Sequence, residues 1–380
     1  MAIANLVIRL DLFRMVFKQI SQISGAKKSL LAAGIVSLSL LAALKENIVP
    51  FLPVAQATDE SVSRSGKSYL NVVRQRGFLI CGVNGELPGF SYVNSEGKYA
   101  GIDVDLCRAI AAAIFDDPTK VEFRDLNASE RFDVLKSGEI DLLSRNTTQT
   151  LSRDTDANLE FTPTIFYDAQ GIMVNQRSEI KEPKDLAGKT ICVPEKTTSY
   201  DNLQDYLNET KINAKILASS DRRGLFRAYE QNQCQAITGD ISQLVARRII
   251  LANPQNHQIL STTISQEPLA PVLLHQDSDW FDVVKWVTFA LIQAEELNIT
   301  SENLNIYKRT KESAIRRFLG AEGTLGSDMG LSNDFAKRII EHVGNYGEIY
   351  ERNLGQPFSL PRGRNALWQD GGLMYSPPFN

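Results

Sequence analysis

Two runs of alternating strand and helix, over residues 78–143 and 172–251, constrain this chain more than any other feature. In the first, 78–83 reads as a strand, 84–90 as a loop, and 91–93 as a strand closed by the turn 94–97. A helix opens at Gly101 and runs to about Phe115, with Leu106, Ile110, Ala113 and Ile114 on one face at helical spacing. Asp103 reads as its N-cap. Residues 121–123, 129–136 and 140–143 then read as strand, helix and strand. The second run gives a strand at 172–174, a helical turn at 184–188, a strand at 190–193 and a helix after Ser199. It continues through 214–217, a helix at 222–231, a strand at 235–238 and a helix at 241–251. A βαβαβ order predicts a largely parallel sheet with helices on both faces, so the chain reads as two α/β units, each with its own sheet.

Ligands in open α/β sheets bind beyond the C-terminal ends of the strands. Loops 84–90, 144–153 and 194–199 fall at such ends, together with Asp240. The second of these is the most distinctive. A short apolar strand (Ile140, Leu142, Leu143) releases into Arg-Asn-Thr-Thr-Gln-Thr-Leu-Ser-Arg, residues 145–153. Guanidinium forks beside hydroxyls and free backbone amides are the groups that hold a small carboxylate at two points. The plainer reading is a polar surface loop, with Arg153 paired to Asp154 or Asp156 and Arg145 at the surface.

Charge excludes some functions. The net charge is −4, and the first 57 residues carry six basic against two acidic residues, so the remainder is more acidic still. Neither nucleic acid nor an anionic membrane surface suits such a balance as the main partner. Lys27 and Lys28 precede an apolar run over 30–44, and Ala55-Gln56-Ala57 matches a small-x-small cleavage pattern. Residues 1–57 therefore read as a cleaved signal peptide directing export, with a retained anchor as the alternative. No cysteine near the cut offers a lipid attachment point.

Four cysteines, Cys81, Cys107, Cys192 and Cys234, occur in no CxxC and beside no histidine. Zinc and thioredoxin-like readings fail. In an oxidising compartment an even count suggests two disulfides, with three possible connectivities; four buried thiols are the alternative. His257, His275 and His342 lie in unrelated contexts, with no HExxH and no nucleophile elbow. No cofactor or metal motif is present, and the glycines of 320–326 follow a helix, unlike a dinucleotide loop. Trp280, Trp286 and Phe289, at helical spacing, read as core.

The segments GVNGELPGFSY (82–92), GKYAGIDVDLCRAIA (97–111), IDLLSRNTTQTLSRD (140–154), GKTICVPEKTTS (188–199) and AITGD (236–240) occur in a characteristic order. That order resembles the periplasmic amino-acid-binding proteins of ABC importers, solute-binding protein family 3. EPLAPVLLHQDSDWFDVVKW (267–286), EHVGNYGEIYERNLG (341–355) and NALWQDGGLMYSPP (365–378) are similar to the general L-amino-acid-binding branch. The resemblance covers roughly residues 68–378. It implies a two-lobed periplasmic-binding-protein-like fold of type II, each lobe a mixed sheet flanked by helices and joined by a two-crossing hinge. Lobe 1 would be 58–167 and 271–380, lobe 2 would be 172–266, and the crossings 167–171 and 267–271. This division favours Cys81–Cys107 and Cys192–Cys234, one bridge per lobe.

The resemblance further implies an exported monomer that takes an L-amino acid and hands it to the membrane permease of an ABC transporter. The family's carboxylate-binding arginine falls on Arg153, with Thr148 and Asn146 lining the same loop. Its helix-start loop falls on Thr197, Thr198 and Ser199, and the acid that holds the α-ammonium falls on Asp240. Asn84 to Phe90 would form the first-lobe loop, with Phe90 an apolar wall. The chain departs from relatives at Asn84, where an acid can sit, and at Thr198, where glycine is frequent. The chemistry agrees: a zwitterion needs a cation-plus-hydroxyl cradle at one end and a carboxylate at the other. Asp240 and Thr197 to Ser199 have a plainer reading as helix caps. Two other functions fit the same fold: a prephenate- or arogenate-dehydratase-like enzyme, for which no buried acid is assignable, and a ligand-sensing domain. The last sixty residues exceed what the fold needs and would brace lobe 1 or touch the permease.

Overall fold

The computed structural model of the chain describes residues 68–380, apart from 157 and 276. The signal peptide expected over 1–57, with its cut after Ala57, lies outside the described residues. Along the chain come β1 (Leu79–Val83), β2 (Glu86–Leu87), β3 (Ser91–Val93), β4 (Tyr99–Ala100), β5 (Val121–Asp125), β6 (Leu142–Leu143) and β7 (Leu159–Phe161). They are followed by β8 (Phe166–Asn175), β9 (Thr190–Pro194), β10 (Lys215–Ser219), β11 (Ala236–Asp240), β12 (His257–Ile259), β13 (Ser265–Leu269) and β14 (Val272–Leu274).

One five-stranded sheet has the order β5-β1-β6-β14-β7, and a second has β10-β9-β11-β8-β12 with β13 also on β8. In each sheet three strands are parallel (β5, β1 and β6; β10, β9 and β11) and the others pair antiparallel; of the strands expected in the two runs, 172–174 within β8 is one of the antiparallel ones, and 91–93 lies apart in a small sheet β2-β3-β4. The parallel core follows from crossovers long enough to hold a helix: Ile102–Phe115 after β4, Arg131–Lys136 before β6, Thr198–Thr210 before β10 and Arg222–Glu230 before β11. Helix Ile102–Phe115 is buried almost all round, from Ile102 through Ile114, because it lies between the first sheet and the C-terminal helices.

Among the described residues, two chain segments run between the sheets in strand form, and they pair with each other. β8 and β13 are antiparallel, with Tyr167 opposite Pro268, Asp168 opposite Glu267 and Gln170 opposite Ser265. The 144–153 loop joins this ribbon through Gln149 N–H to the Pro268 carbonyl (2.8 Å) and Ala270 N–H to the Thr147 carbonyl (3.0 Å). One sheet's loop is thereby stitched to the strand entering the other.

The C-terminal segment is part of the first core. Ile339, Ile340, Tyr346, Ile349, Tyr350 and Leu354 are buried together with Leu79, Leu106 and Ile110. Asn365 binds both backbone groups of Tyr167, accepting from its N–H (2.7 Å) and donating to its carbonyl (3.1 Å). Trp280 is fully buried, with its indole N–H on the Asp141 carbonyl at 3.1 Å, and Trp286 and Phe289 pack on the same core. The disulfides are Cys81–Cys107, which ties β1 to the 102–115 helix, and Cys192–Cys234, which ties β9 to the start of β11.

Candidate functional site

The strand ends converge where the two sheets face each other across the β8–β13 ribbon. The first-sheet loop owes its shape to Asp103. The helix begins at Ile102 with Gly101 as N-cap, so Asp103 stands inside the first turn and does not cap it, contrary to expectation. Gly101, at φ +127°, has Phe90 carbonyl atoms where a Cβ would stand, so no other residue fits this approach. The helix amides of Ile102 and Asp103 donate instead to the carbonyls of Gly89 (2.9 Å) and Phe90 (3.0 Å). That frees the Asp103 carboxylate to reach across, accepting from Asn146 N–H (3.0 Å) and Ser144 Oγ (3.4 Å). Burial pushes its carboxyl up to about 7, against which those donors and the nearby Arg145 act. Asn146 adopts φ +36°, a region asparagine tolerates better than most residues, and accepts from Asn84 Nδ2 at 3.1 Å.

Arg153 pairs with neither Asp154 nor Asp156. Asp156 is paired with Lys136 (2.7 Å), and Asp154 accepts from Gln149 (3.4 Å). The Arg153 guanidinium lies over the Phe132 ring, 5.6 Å from its centroid, and its Nη1 donates to the Thr148 carbonyl at 2.8 Å. The other guanidinium donors have no protein acceptor among the described residues. Burial lowers its pKa, while Glu267, Asp201 and Asp240 oppose that shift. Arg145 is buried at 2 % exposure and not at the surface, because Leu126 supplies a carbonyl to its Nε at 2.8 Å.

Thr148 is buried and donates its hydroxyl proton to Glu267 Oε2 (2.6 Å). Thr198 donates to the same oxygen (2.9 Å), while Asn202 Nδ2 and Ser265 Oγ donate to Oε1, the former at 2.8 Å. A hydroxyl whose proton is engaged in this way offers the cleft its lone pairs. Thr197 is the cap of helix Thr198–Thr210: its hydroxyl accepts from Tyr200 N–H and donates to the Pro194 carbonyl at 2.7 Å. The amides of Thr198 and Ser199, at the helix start, make no intrahelical bond. Ser199 is buried, and its carbonyl accepts from Gln170 Nε2 at 2.9 Å.

Asp240 stands at the N-cap of helix Ile241–Arg248 but makes no cap bond with its side chain. It accepts from Gln243 Nε2 and is 4 % exposed. Burial, with Asp168 and Glu267 nearby, raises its carboxyl well above the ordinary range. Asp168, bonded to Ser242, is raised by burial to about 6. Phe90 is 1 % exposed and packs edge-on to Phe166 at 5.2 Å, so it supports the loop from the core and forms no wall of the cleft.

The structure thus bonds Asn84 to Asn146, joins Thr148 and Thr198 through Glu267, and sets Asp240 near enough to Arg153 for their charges to interact, while it commits Thr197 and Phe90 to capping and packing. Sequence reasoning missed Glu267, Asp168, Gln170, Asn202 and Arg222. Glu267 and Asp168 lie on the crossing ribbon, where no local pattern marks a buried acid. Two contacts join the 84–90 loop to the helices after β10 and β11: Arg223 pairs with Glu86 at 2.8 Å, and Arg247 donates to the Glu86 carbonyl at 2.5 Å. A second cavity, of about 510 Å3, is lined by Asp168, Ser242, Tyr350 and Arg362. Among the described residues no cluster of His, Cys, Asp and Glu could hold a metal ion.

Residues 79–312 match the bacterial extracellular solute-binding proteins, family 3. The chain is 45 % identical over 320 residues to the general L-amino acid-binding periplasmic protein AapJ of Rhizobium johnstonii, covering 83 % of this chain and 94 % of AapJ. It is 44 % identical over 315 residues to the glutamate/glutamine/aspartate/asparagine-binding protein BztA of Rhodobacter capsulatus, covering 82 % and 93 %. A solved ABC transporter periplasmic binding protein from Brucella ovis with glutathione bound superposes with a TM-score of 0.81. It is 44 % identical, and the match spans 83 % of this chain and all of that one.

Proposed function

Since the chain belongs to the bacterial extracellular solute-binding proteins, family 3, we propose that it captures free L-amino acids in the periplasm for an ABC permease. The observation that carries this reading is that Arg153, with unengaged guanidinium donors, and Asp240, buried without a cap bond, lie near enough for the Asp240 charge to act on Arg153. Arg153 and the amides of Thr198 and Ser199 hold the α-carboxylate. Asp240 and the lone pairs of Thr148 take the α-ammonium. A carboxylate raised by burial beside two other acids gains most when a cation arrives, so the ammonium relieves the strain of the unliganded site.

Lobe 1 is taken as 58–167, of which 58–67 lie outside the described residues, with 271–380, and lobe 2 as 172–266, with 167–171 and 267–271 as the hinge. The crossing ribbon bends, the lobes close on the ligand, and the closed form is what the permease reads. Closure removes water from the charged contacts and strengthens each of them. No residue in the cleft is asked to make or break a covalent bond: the protein binds and releases its ligand unchanged.

Calorimetry with the twenty amino acids tests this. Binding of several, one ligand per chain and each recovered unaltered, is the expected result. Absence of binding by every α-amino acid, or conversion of prephenate or arogenate to an aromatic product, would overturn it.

A further inference from the structure

Positive charge concentrates on one surface that includes none of the cleft residues. Residues 304–321 carry five basic side chains against one acid, Glu312, in a chain whose net charge is −4. They fold as a short helical stretch (Leu304–Arg309) followed by helix Ser313–Phe318, and helix Phe335–His342 packs against the first of these. A cavity of about 390 Å3 lies there, large enough for a small molecule. Five of the side chains lining it are cations, Lys308, Arg309, Lys311, Arg316 and Lys337, and none is an acid.

These charges are lightly compensated. Arg316 Nε meets Glu322 at 3.1 Å and Lys337 meets Glu341 at 3.8 Å, both in partly exposed pairs of the kind that contribute little. Lys308, Arg309 and Lys311 make no ion pair and no side-chain hydrogen bond among the described residues. Beneath the cations, Leu304 and Leu319 are buried in the first core with Tyr307 packed on it, so the cavity has an apolar floor under a charged rim. Lysines spread over a convex face are screened from one another by water. Here they converge on one concave space beside low-dielectric packing, where their repulsion is larger and an anion gains from all of them at once.

We propose that this cavity is a second ligand site, for a small anion of the phosphate class bearing two or more negative charges. A single carboxylate would neutralise one cation and leave the rest unopposed. A phosphoryl group directs several acceptor oxygens outward, so lysine ammoniums share it as point charges and the planar forks of Arg309 and Arg316 grip it at two points. The acidity of the whole chain works against a broad membrane contact. The concave shape selects an anion the size of a headgroup, free in solution or carried by a lipid.

Inorganic pyrophosphate, titrated by calorimetry at fixed ionic strength into the wild type and into a variant combining Lys308→Gln, Arg309→Gln and Lys311→Gln, tests the site. The wild type is expected to bind it, and the variant to bind about tenfold or more weakly, through the loss of three exposed charge contacts. All three positions are exposed, so the variant should fold and melt close to the wild type. Pyrophosphate taken up by the arginines of the cleft would bind both proteins alike, and equal affinity overturns the proposal. Flotation with phosphatidylglycerol vesicles, against phosphatidylcholine alone, identifies the source. Recovery of the wild type but not the variant assigns the cavity to a lipid-borne phosphate, and pyrophosphate binding without flotation assigns it to a free one. No difference between the two proteins in either assay removes the site. Amino-acid affinity should stay within about threefold in the variant, so failure here leaves the amino-acid reading standing.

Discussion

Thr148 donates its hydroxyl proton to Glu267 across 119 residues of sequence, at 2.6 Å, inside the ribbon that joins the two sheets. The bond fixes the chemical sense of the cleft. Glu267 collects four donors, from Thr148, Thr198, Asn202 and Ser265, so it anchors the first-sheet loop, the 198–210 helix and β13 to one carboxylate. With its proton so engaged, Thr148 presents an acceptor, which suits the ammonium end of the proposed zwitterion.

Arg153→Ala should weaken every α-amino acid by a similar factor, since all share the carboxylate. Losing one partner of a desolvated charged pair costs about 2–5 kcal/mol, roughly a 30- to 5,000-fold drop in affinity. Arg153→Lys should recover little, because an ammonium cannot hold the Thr148 carbonyl and a carboxylate in one plane. Calorimetry on both variants checks this, and near-wild-type affinity in Arg153→Ala would remove the loop from the site.

Asp240→Asn separates ligand holding from capping. Asparagine and aspartate cap helices comparably, so a pure cap would be replaced almost silently. The side chain makes no cap bond, and the expected outcome is a loss of affinity for ligands with an α-ammonium. Stability of the ligand-free protein should hold or rise, because a buried charge is removed. A melting curve with and without ligand reads both effects.

Stability of the ligand-free protein should fall as pH rises from about 4 towards 7. Burial raises Asp168 from 3.8 to about 6 and Asp103 from 3.8 to about 7, and raises Asp240 well above the ordinary carboxylate range. A carboxyl whose folded-state pKa lies above its unfolded value binds its proton more tightly when folded. Its contribution is therefore full below the unfolded pKa and is lost as pH climbs through the folded one. Ligand should reverse the Asp240 part at neutral pH, and binding should release protons. Calorimetry in two buffers of different ionisation enthalpy measures that release; proton uptake would contradict the assignment.

Asn365→Ala should cost roughly 1–3 kcal/mol by leaving the Tyr167 N–H and carbonyl without their partner. Tyr167 opens the crossing ribbon, so hydrogen exchange at 166–170 should speed up with the 102–115 helix unaffected. Uniform change across both regions would mean that the C-terminal segment acts on the whole core and not on the crossing.

Each disulfide should stabilise its own unit. Bridges spanning 26 and 42 residues remove loop entropy from the unfolded chain worth about 3–4 kcal/mol each. Non-reducing peptide mapping should recover Cys81 with Cys107 and Cys192 with Cys234. Alanine pairs should lower the melting temperature while leaving amino-acid affinity within about threefold, as neither bridge crosses the cleft.

Short-range information determined much of this protein. Strands and helices with apolar periodicity, the βαβαβ order and the loops at strand ends are local properties, and the 144–153 loop, Thr198 and Asp240 could be picked out from them. What distinguishes a cap from a ligand holder is not local. Thr197 and Asp240 occupy the same position before their helices, yet one accepts from its helix amide and the other makes no cap bond and accepts from the Gln243 side chain, with Asp168 and Glu267 nearby. Asp103 looked like a cap for the same reason and proved to hold a loop 43 residues away. The buried acids of the crossing ribbon and the facing of Arg145 and Arg222 exist only once two distant sheets meet. Whether a polar side chain lies in water or in a closed cleft is decided by what packs over it, and that is long-range information no stretch of neighbouring residues carries.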